Sequence, residues 1–111
     1  MQDFDIVDYG NRLANNKRLM ILVAKEFLKE SAMLVQQLLD YVAAEDWGNV
    51  ARIAHRIKGA SAEVSGFAMS ISAKKIEQAL QDGDITSAQV GLAQLQLDYT
   101  ALQKVLSAHD F

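Results

Sequence analysis

The sequence predicts an all-α fold, an antiparallel up-down four-helix bundle with an additional short N-terminal helix. The 111 residues contain no proline, and their hydrophobic positions recur at helical spacing without the alternation typical of strands. Half of the residues are hydrophobic, which is enough for one core in a chain of this length. Short connections between the predicted helices favour antiparallel neighbours. We therefore expect residues 1–111 to form a single helical domain.

The first two helices are separated by a short link that contains asparagines. The first helix is predicted over about residues 5–13. Asn15 or Asn16 can cap a long second helix that reaches roughly residue 44, because asparagine is among the preferred N-cap residues. The inward-facing stripe of this second helix contains Met20, Val23, Phe27, Leu34, Leu38 and Tyr41.

Three further helices follow, separated by turn residues. Asp46 is the expected cap of the third helix, which ends near Val64 and is followed by a turn at residues 65–66. A fourth helix is predicted from residue 67 to about residue 80 or 81, and residues 82–84 form a strong break in which Asp84 is the expected cap of the next helix. The last helix has a bundle seam made of Ile85, Ala88, Leu92, Leu95, Tyr99, Leu102 and Leu106.

The composition excludes several classes of protein. No cysteine is present, so disulfides and thiolate metal sites are excluded. The longest purely apolar run, residues 19–24, is far too short to span a membrane, and the acidic residues 1–5 lack the character of a signal peptide. A net charge of −3 argues against general nucleic-acid binding. A cytoplasmic protein that binds neither membrane nor nucleic acid is therefore expected.

His55 lies on the polar side of the third predicted helix, in a strip with little side-chain bulk. At about 100° per residue, Val50, Ile53, Ile57 and Val64 fall on the side opposite His55. The small residues Gly48, Ala51, Gly59 and Ala62 fall within about 40° of it. A glycine inside a helix costs about 1 kcal/mol relative to alanine. Gly59, one turn from His55, therefore indicates that something approaches the histidine closely.

Three cations surround this histidine. Arg52 and Lys58 lie at roughly +60° and −60° from His55, and Arg56 follows at about 100°. Stability does not call for this cluster, because the three charges repel one another and hinder protonation of the imidazole. A neutral imidazole that becomes a dianionic phosphohistidine would benefit from them.

The run from His55 to Val64, HRIKGASAEV, resembles the histidine-containing phosphotransfer (HPt) domains of bacterial two-component phosphorelays. The pattern of that family is His-x-(Leu/Ile)-Lys-Gly-(Ser/Ala)-(Ser/Ala), followed by a hydrophobic residue and then a small one. Asp46-Trp47, Ala54 and Ile76-Glu77 also match the family pattern, so the resemblance covers nearly the whole chain.

Three positions depart from that pattern. Ser65 stands where the family usually has glycine, with Gly66 one place later. Ala60 replaces a frequent serine, and Glu63 is acidic where a neutral residue is common. These departures concern the local fit to a partner more than the phosphorylation itself.

The resemblance implies a phosphoryl carrier in the middle of a His-Asp relay. His55 would accept a phosphoryl group from one receiver-domain aspartate, of a hybrid sensor kinase, and donate it to another, of a response regulator. Lys58 would stabilise the charge of the phosphoryl group and Gly59 would give clearance. The partner receiver domain would bring the aspartate and Mg²⁺, so no cofactor or metal is expected in this chain. Carriers of this family are expected to be monomeric.

The remaining residues around His55 are predicted to serve docking. Arg52 and Arg56 would steer an acidic face of the receiver domain. Ala51 and Ala62 would belong to the docking surface, together with exposed apolar residues of the second helix. The chain has no phosphate-cradling glycine loop and no room for a nucleotide-binding domain, so we expect a carrier and not a kinase.

Glu77 is the candidate partner of the imidazole. The turn between the third and fourth helices is centred between Ser65 and Gly66, with His55 about ten residues before it and Glu77 about eleven after it. In an antiparallel pair the two side chains then lie at nearly the same height. Glu77 is therefore placed to accept a hydrogen bond from Nδ1, leaving Nε2 free as the nucleophile. The alternative is a solvated carboxylate paired with Lys74 or Lys75.

Two other functions compete with the relay hypothesis. One is a helical interaction module without chemistry, which docks a partner or a second copy through the small-residue strip around His55. The other is the dimerisation and phosphoacceptor helix pair of a sensor kinase, which usually has an acidic residue after the histidine and a proline one turn later. Here Arg56 follows the histidine and no proline exists. We interpret Trp47 as a packing residue, and His109 as an incidental residue of a frayed C-terminus.

Overall fold

The structure is a computed structural model that describes residues 2–109 and residue 111. Its helices are α1 (Ile6–Arg12), α2 (Lys17–Ala43), α3 (Trp47–Glu63), α4 (Phe67–Gln81) and α5 (Ile85–Ala108). Each of the four longer helices packs against the next one in the chain, and α2 also contacts α5. The long axis of 42 Å matches α2, whose 27 residues extend about 40 Å. This architecture confirms the predicted bundle with its short N-terminal helix.

Side-chain caps explain why the predicted helix starts are correct. Asp5, Asn16, Asp46 and Asp84 each accept a hydrogen bond from the backbone N–H three residues later. Such a bond satisfies one of the N–H groups that a helix start leaves without an intrahelical partner. Only α4 begins without a side-chain cap, at Gly66. The turn before it connects α3 and α4 directly, so these two helices form a tight hairpin.

The core lies on the predicted faces of the helices. Val50, Ile53, Ile57 and Val64, on the side of α3 opposite His55, are all buried. Trp47 is partly buried against the core, as expected for a packing residue. One position of the predicted seam is wrong, because Ile85 is 41% exposed. It is the first residue of α5 and follows the exposed turn at residues 82–84, so it lies at the end of the bundle.

The turn between α3 and α4 is fastened to α1. Ser65 is fully buried with φ of +58°, a left-handed conformation that favours glycine. Its carbonyl oxygen accepts a hydrogen bond from the backbone N–H of Asp5 at 3.0 Å, and its hydroxyl donates one to Oδ2 of Asp8 at 2.6 Å. Hydrogen bonds from Ser65 and Arg12 hold the pKa of Asp8 below its usual range. The serine that departs from the family pattern therefore ties α1 to this turn.

The prediction that His109 is frayed is wrong, because its ring is packed; that it has no part in the function stays a prediction. Its ring stacks on Phe111 with centroids 4.5 Å apart and meets the edge of Phe4 at 5.7 Å. Phe4 and Phe111 also contact Tyr9, whose hydroxyl donates a hydrogen bond to the carbonyl of Met20 at 2.6 Å. Phe4 and Tyr9, near the start of the chain, thus meet His109 and Phe111 in one aromatic cluster. Its partners are far apart in sequence, which is why helical periodicity did not reveal it.

No helix among the described residues has both the length and the apolar character needed to cross a membrane.

Candidate functional site

His55 projects from the middle of α3 away from the core. Its side chain is 64% exposed, in agreement with the helical-wheel prediction. Nδ1 lies 2.8 Å from Oε2 of Glu77, so the predicted hydrogen bond between α3 and α4 is present. An ionised carboxylate only accepts hydrogen bonds, so Nδ1 carries the proton. When the ring is neutral, the lone pair is then on Nε2.

Glu77 is a mostly buried carboxylate that joins two donors. Its side chain is 18% exposed, and Oε1 accepts a hydrogen bond from Nζ of Lys58 at 3.0 Å. Burial raises the pKa of Glu77, but the hydrogen bonds from Lys58 and His55 outweigh burial and hold that pKa below its usual value. The carboxylate is therefore ionised near neutral pH. The alternative pairing with Lys74 or Lys75 is wrong, because Lys58 occupies that carboxylate.

Lys58 also anchors the backbone of the hairpin. Its carbonyl oxygen accepts a hydrogen bond from the hydroxyl of Ser70, on α4, at 2.9 Å. Ser61 is fully buried and donates back to the carbonyl of Ile57 at 2.6 Å. Two levels of contact, at Ser70 and at Glu77, therefore fix α4 against the face of α3 that carries the histidine. The contact of Ser70 was missed because serines on a helix usually bond within their own turn, as Ser61 does.

Gly59 has no structural partner that would require a glycine. A Cβ atom added there would meet nothing within 4 Å, and the residue is exposed within α3. At Gly66, by contrast, an added Cβ would collide with the side chain of Leu102. The fold itself therefore gives no reason for glycine at position 59. Ala51 and Ala62, the two small residues predicted to belong to the docking surface, are half-buried on α3.

The two arginines near His55 differ in how they are held. Nε of Arg52 donates a hydrogen bond to Asn49 at 3.1 Å, and its guanidinium lies 6.0 Å from the ring centroid of Tyr41 on α2. Arg56 is exposed and makes no ion pair with the residues that the structure describes. Neither arginine is paired with a carboxylate of the described residues.

The second helix offers exposed apolar side chains, as the sequence suggested. Leu22 and Met33 of α2 are among the most exposed large hydrophobic residues of the chain.

Within residues 2–109 and 111, no three His, Asp or Glu side chains are grouped so that they could hold a metal ion. The arrangement supplies an exposed imidazole, a tautomer that leaves Nε2 unprotonated, and nearby cations. Chemically this suits the acceptance of an anionic group at Nε2.

Comparison with known proteins agrees with this chemistry. Residues 23–105 match the family model described as Hpt domain. The match contains all of α3 and α4, whereas α1 and the first residues of α2 lie outside it. No curated protein and no solved structure matches the chain.

Proposed function

This chain belongs to the Hpt domain family, and on that premise we propose that His55 relays a phosphoryl group between the receiver domains of a hybrid sensor kinase and of a response regulator. Histidine phosphotransfer in two-component systems is the function of the family. The observation that carries the proposal is the exposed imidazole whose Nδ1 is held by Glu77 at 2.8 Å. This contact fixes the ring for attack through Nε2.

The reaction transfers a phosphoryl group from aspartate to histidine and back. The Nε2 lone pair attacks phosphorus, the P–O bond to the receiver's aspartate breaks, and the electron pair stays on the aspartate carboxylate. The proton on Nδ1 remains in place and its hydrogen bond to Glu77 is kept. In the reverse direction the P–N bond breaks and Nε2 regains its lone pair, so the same tautomer serves acceptance and donation. Such transfers depend mainly on positioning and charge neutralisation.

The other site residues have supporting roles in this proposal. Lys58 turns from Glu77 toward the phosphoryl oxygens and neutralises part of their charge. Gly59 lets the partner approach, and Ala51 and Ala62 form part of the surface on which it rests. Arg52 and Arg56 attract an acidic receiver face. The Mg²⁺ ion required for transfer would belong to the receiver domain, so this chain needs no cofactor of its own.

The proposal describes a carrier and not a kinase. The family consists of phosphocarrier modules, which fits a chain without a nucleotide-binding part. We further propose a monomeric, cytoplasmic protein that acts on receiver domains and binds no nucleic acid. Size-exclusion chromatography distinguishes this monomer from a sensor-kinase helix pair, which would dimerise.

The test is phosphotransfer from purified receiver domains of the same organism, phosphorylated with acetyl phosphate. The wild type should acquire an acid-labile, base-stable label, and His55→Gln should not. His109→Gln is the matched control, because it changes the other histidine and should remain labelled. If neither the variants nor the wild type acquire a label and all are helical, the relay proposal fails. A helical interaction module without chemistry is then the better explanation of this surface.

A further inference from the structure

A groove lies between α2 and α3, beyond His55 toward the end of α3. Its apolar lining includes Leu22, Phe27 and Ala60, and its rim carries Glu26, Glu30 and Glu63. We call this the acidic groove. Phe27 is buried at its floor, whereas Leu22 is 55% exposed at its edge. The acidic groove, with its exposed leucine and three carboxylates, suits a partner surface that combines an apolar side chain with a basic one.

The charges of the acidic groove are not used within the fold. The ion pairs among the described residues involve only the carboxylates of Asp8 and Glu77. The three glutamates on the rim are exposed, so packing of the fold does not explain why they lie together. The carboxylates of the acidic groove can therefore attract a positively charged group of a partner.

The groove lies within reach of a partner docked on His55. Glu63 follows His55 by eight residues, which is about 12 Å along α3 and about 80° around it. Arg52 and Arg56 lie on the same side of α3. A protein interface of standard size covers about 800 Å² on each partner, which corresponds to a radius of about 16 Å. A footprint centred on His55 therefore reaches Glu63, on the α3 side of the acidic groove.

We propose that the acidic groove selects the cognate receiver domain, which seats an aliphatic side chain in it and places a lysine or arginine against Glu63. This inference rests on the proposed relay function. The partner's face is then acidic near its phosphorylated aspartate, where it meets Arg52 and Arg56. It is basic about 12 Å farther along α3, where it meets Glu63. A receiver domain of uniform charge would meet repulsion at one end of this surface. A second copy of this chain is a poor occupant, since it would bring its own glutamates to the groove.

The inference is tested by the concentration dependence of phosphotransfer from each purified, acetyl-phosphate-labelled receiver domain of the organism. Glu63→Lys should lower kcat/KM for the preferred receiver about 3- to 10-fold, while the rate at saturating receiver is unchanged. The difference should shrink at about 0.5 M salt, because screening weakens rim charges. Replacing the partner's lysine or arginine by glutamate should restore transfer to Glu63→Lys. Leu22→Ala should also lower kcat/KM.

The control is a matched change of charge elsewhere. Glu63→Gln and Gln103→Lys each raise the net charge by one, and Gln103 is exposed on α5, which packs against α4 and α2. Only Glu63→Gln should lower kcat/KM, and circular dichroism should show unchanged helicity for all variants. Equal kcat/KM for wild type and Glu63→Lys, with transfer intact, overturns this inference alone. If no receiver labels the wild type, the proposed relay function fails and the inference fails with it.

Discussion

Nζ of Lys58 lies 3.0 Å from Oε1 of Glu77, so the cation assigned to the phosphoryl group is paired with a carboxylate in the unphosphorylated protein. The other oxygen of this carboxylate, Oε2, accepts a hydrogen bond from Nδ1–H of His55. A dianionic phosphoryl group on Nε2 would compete with Glu77 for the ammonium group. Glu77 thus couples the position of the imidazole to the position of Lys58, and the effects of substituting these residues should not add.

Replacing Glu77 tests the role of this carboxylate. Glu77→Ala should slow phosphorylation of His55 by about tenfold or more, since a hydrogen bond to a charged group contributes about 1.5–3 kcal/mol. Nitrogen-15 NMR should then show a mixture of imidazole tautomers instead of the Nδ1–H form. Glu77→Gln, which keeps an acceptor oxygen but loses the charge, should fall between wild type and Glu77→Ala. A single Nδ1–H tautomer and an unchanged rate in Glu77→Ala would contradict this role.

Replacing Lys58 should affect transfer more than stability. Lys58→Gln removes a partly exposed ion pair, which is worth about 0–1 kcal/mol, so the melting temperature should change little. Phosphotransfer should fall about tenfold, because the phosphoryl group loses the cation proposed to neutralise its charge. Lys74→Gln is the matched control, since it removes the same charge from the exposed surface of α4. Equal loss of transfer in both variants would assign the effect to net charge instead of to Lys58.

Gly59 should show opposite effects on stability and activity. Gly59→Ala should stabilise the fold by about 0.5–1 kcal/mol, because alanine is the better helix former and its methyl group meets no atom. The same methyl group, and more strongly the side chain in Gly59→Gln, should lower kcat/KM for transfer. Denaturation with urea and the receiver assay measure the two effects. Gly66→Ala should instead destabilise, because its methyl group collides with Leu102.

Ser65 should contribute to stability through its hydroxyl. Ser65→Ala loses the hydrogen bond to Asp8 and keeps the left-handed conformation, so urea denaturation should show a loss of about 1–2 kcal/mol. Ser65→Gly loses the same bond but adopts positive φ without strain, so its loss should be smaller. A larger loss in the glycine variant would contradict this account.

Stability should fall when the protein is acidified. The ordinary pKa values of Asp8 and Glu77 are 3.8 and 4.5, and the native structure lowers both. Stabilisation from a lowered pKa is complete above the unfolded value and is lost as pH falls through the native one. Urea denaturation between about pH 7 and pH 3 should therefore show stability decreasing below about pH 4.5. Glu77→Gln should flatten part of this decrease, and an unchanged profile in that variant would assign it to other groups.

Local chemistry explains which features the sequence predicted correctly. Helix starts were predictable because aspartate or asparagine caps bond to their own first turn. The position of Glu77 beside His55 was predictable because both residues lie about the same number of residues from the α3–α4 turn and both helices have the same rise per residue. The pairing of Lys58 with Glu77 was not, since a flexible lysine has several rotamers and its choice depends on the neighbouring helix. The aromatic cluster around His109 also required tertiary contacts between the two ends of the chain.

The tight turn at Ser65 and Gly66 has a consequence for how chain length can vary among relatives. One residue inserted between Gly66 and Glu77 would rotate Glu77 by about 100° and move it about 1.5 Å along α4, away from the imidazole. An insertion between α4 and α5, at residues 82–84, leaves the α3–α4 pair untouched. Homologues with a histidine at the position of His55 should therefore differ in length at the α4–α5 connection, and the number of residues between this histidine and the equivalent of Glu77 should be constant.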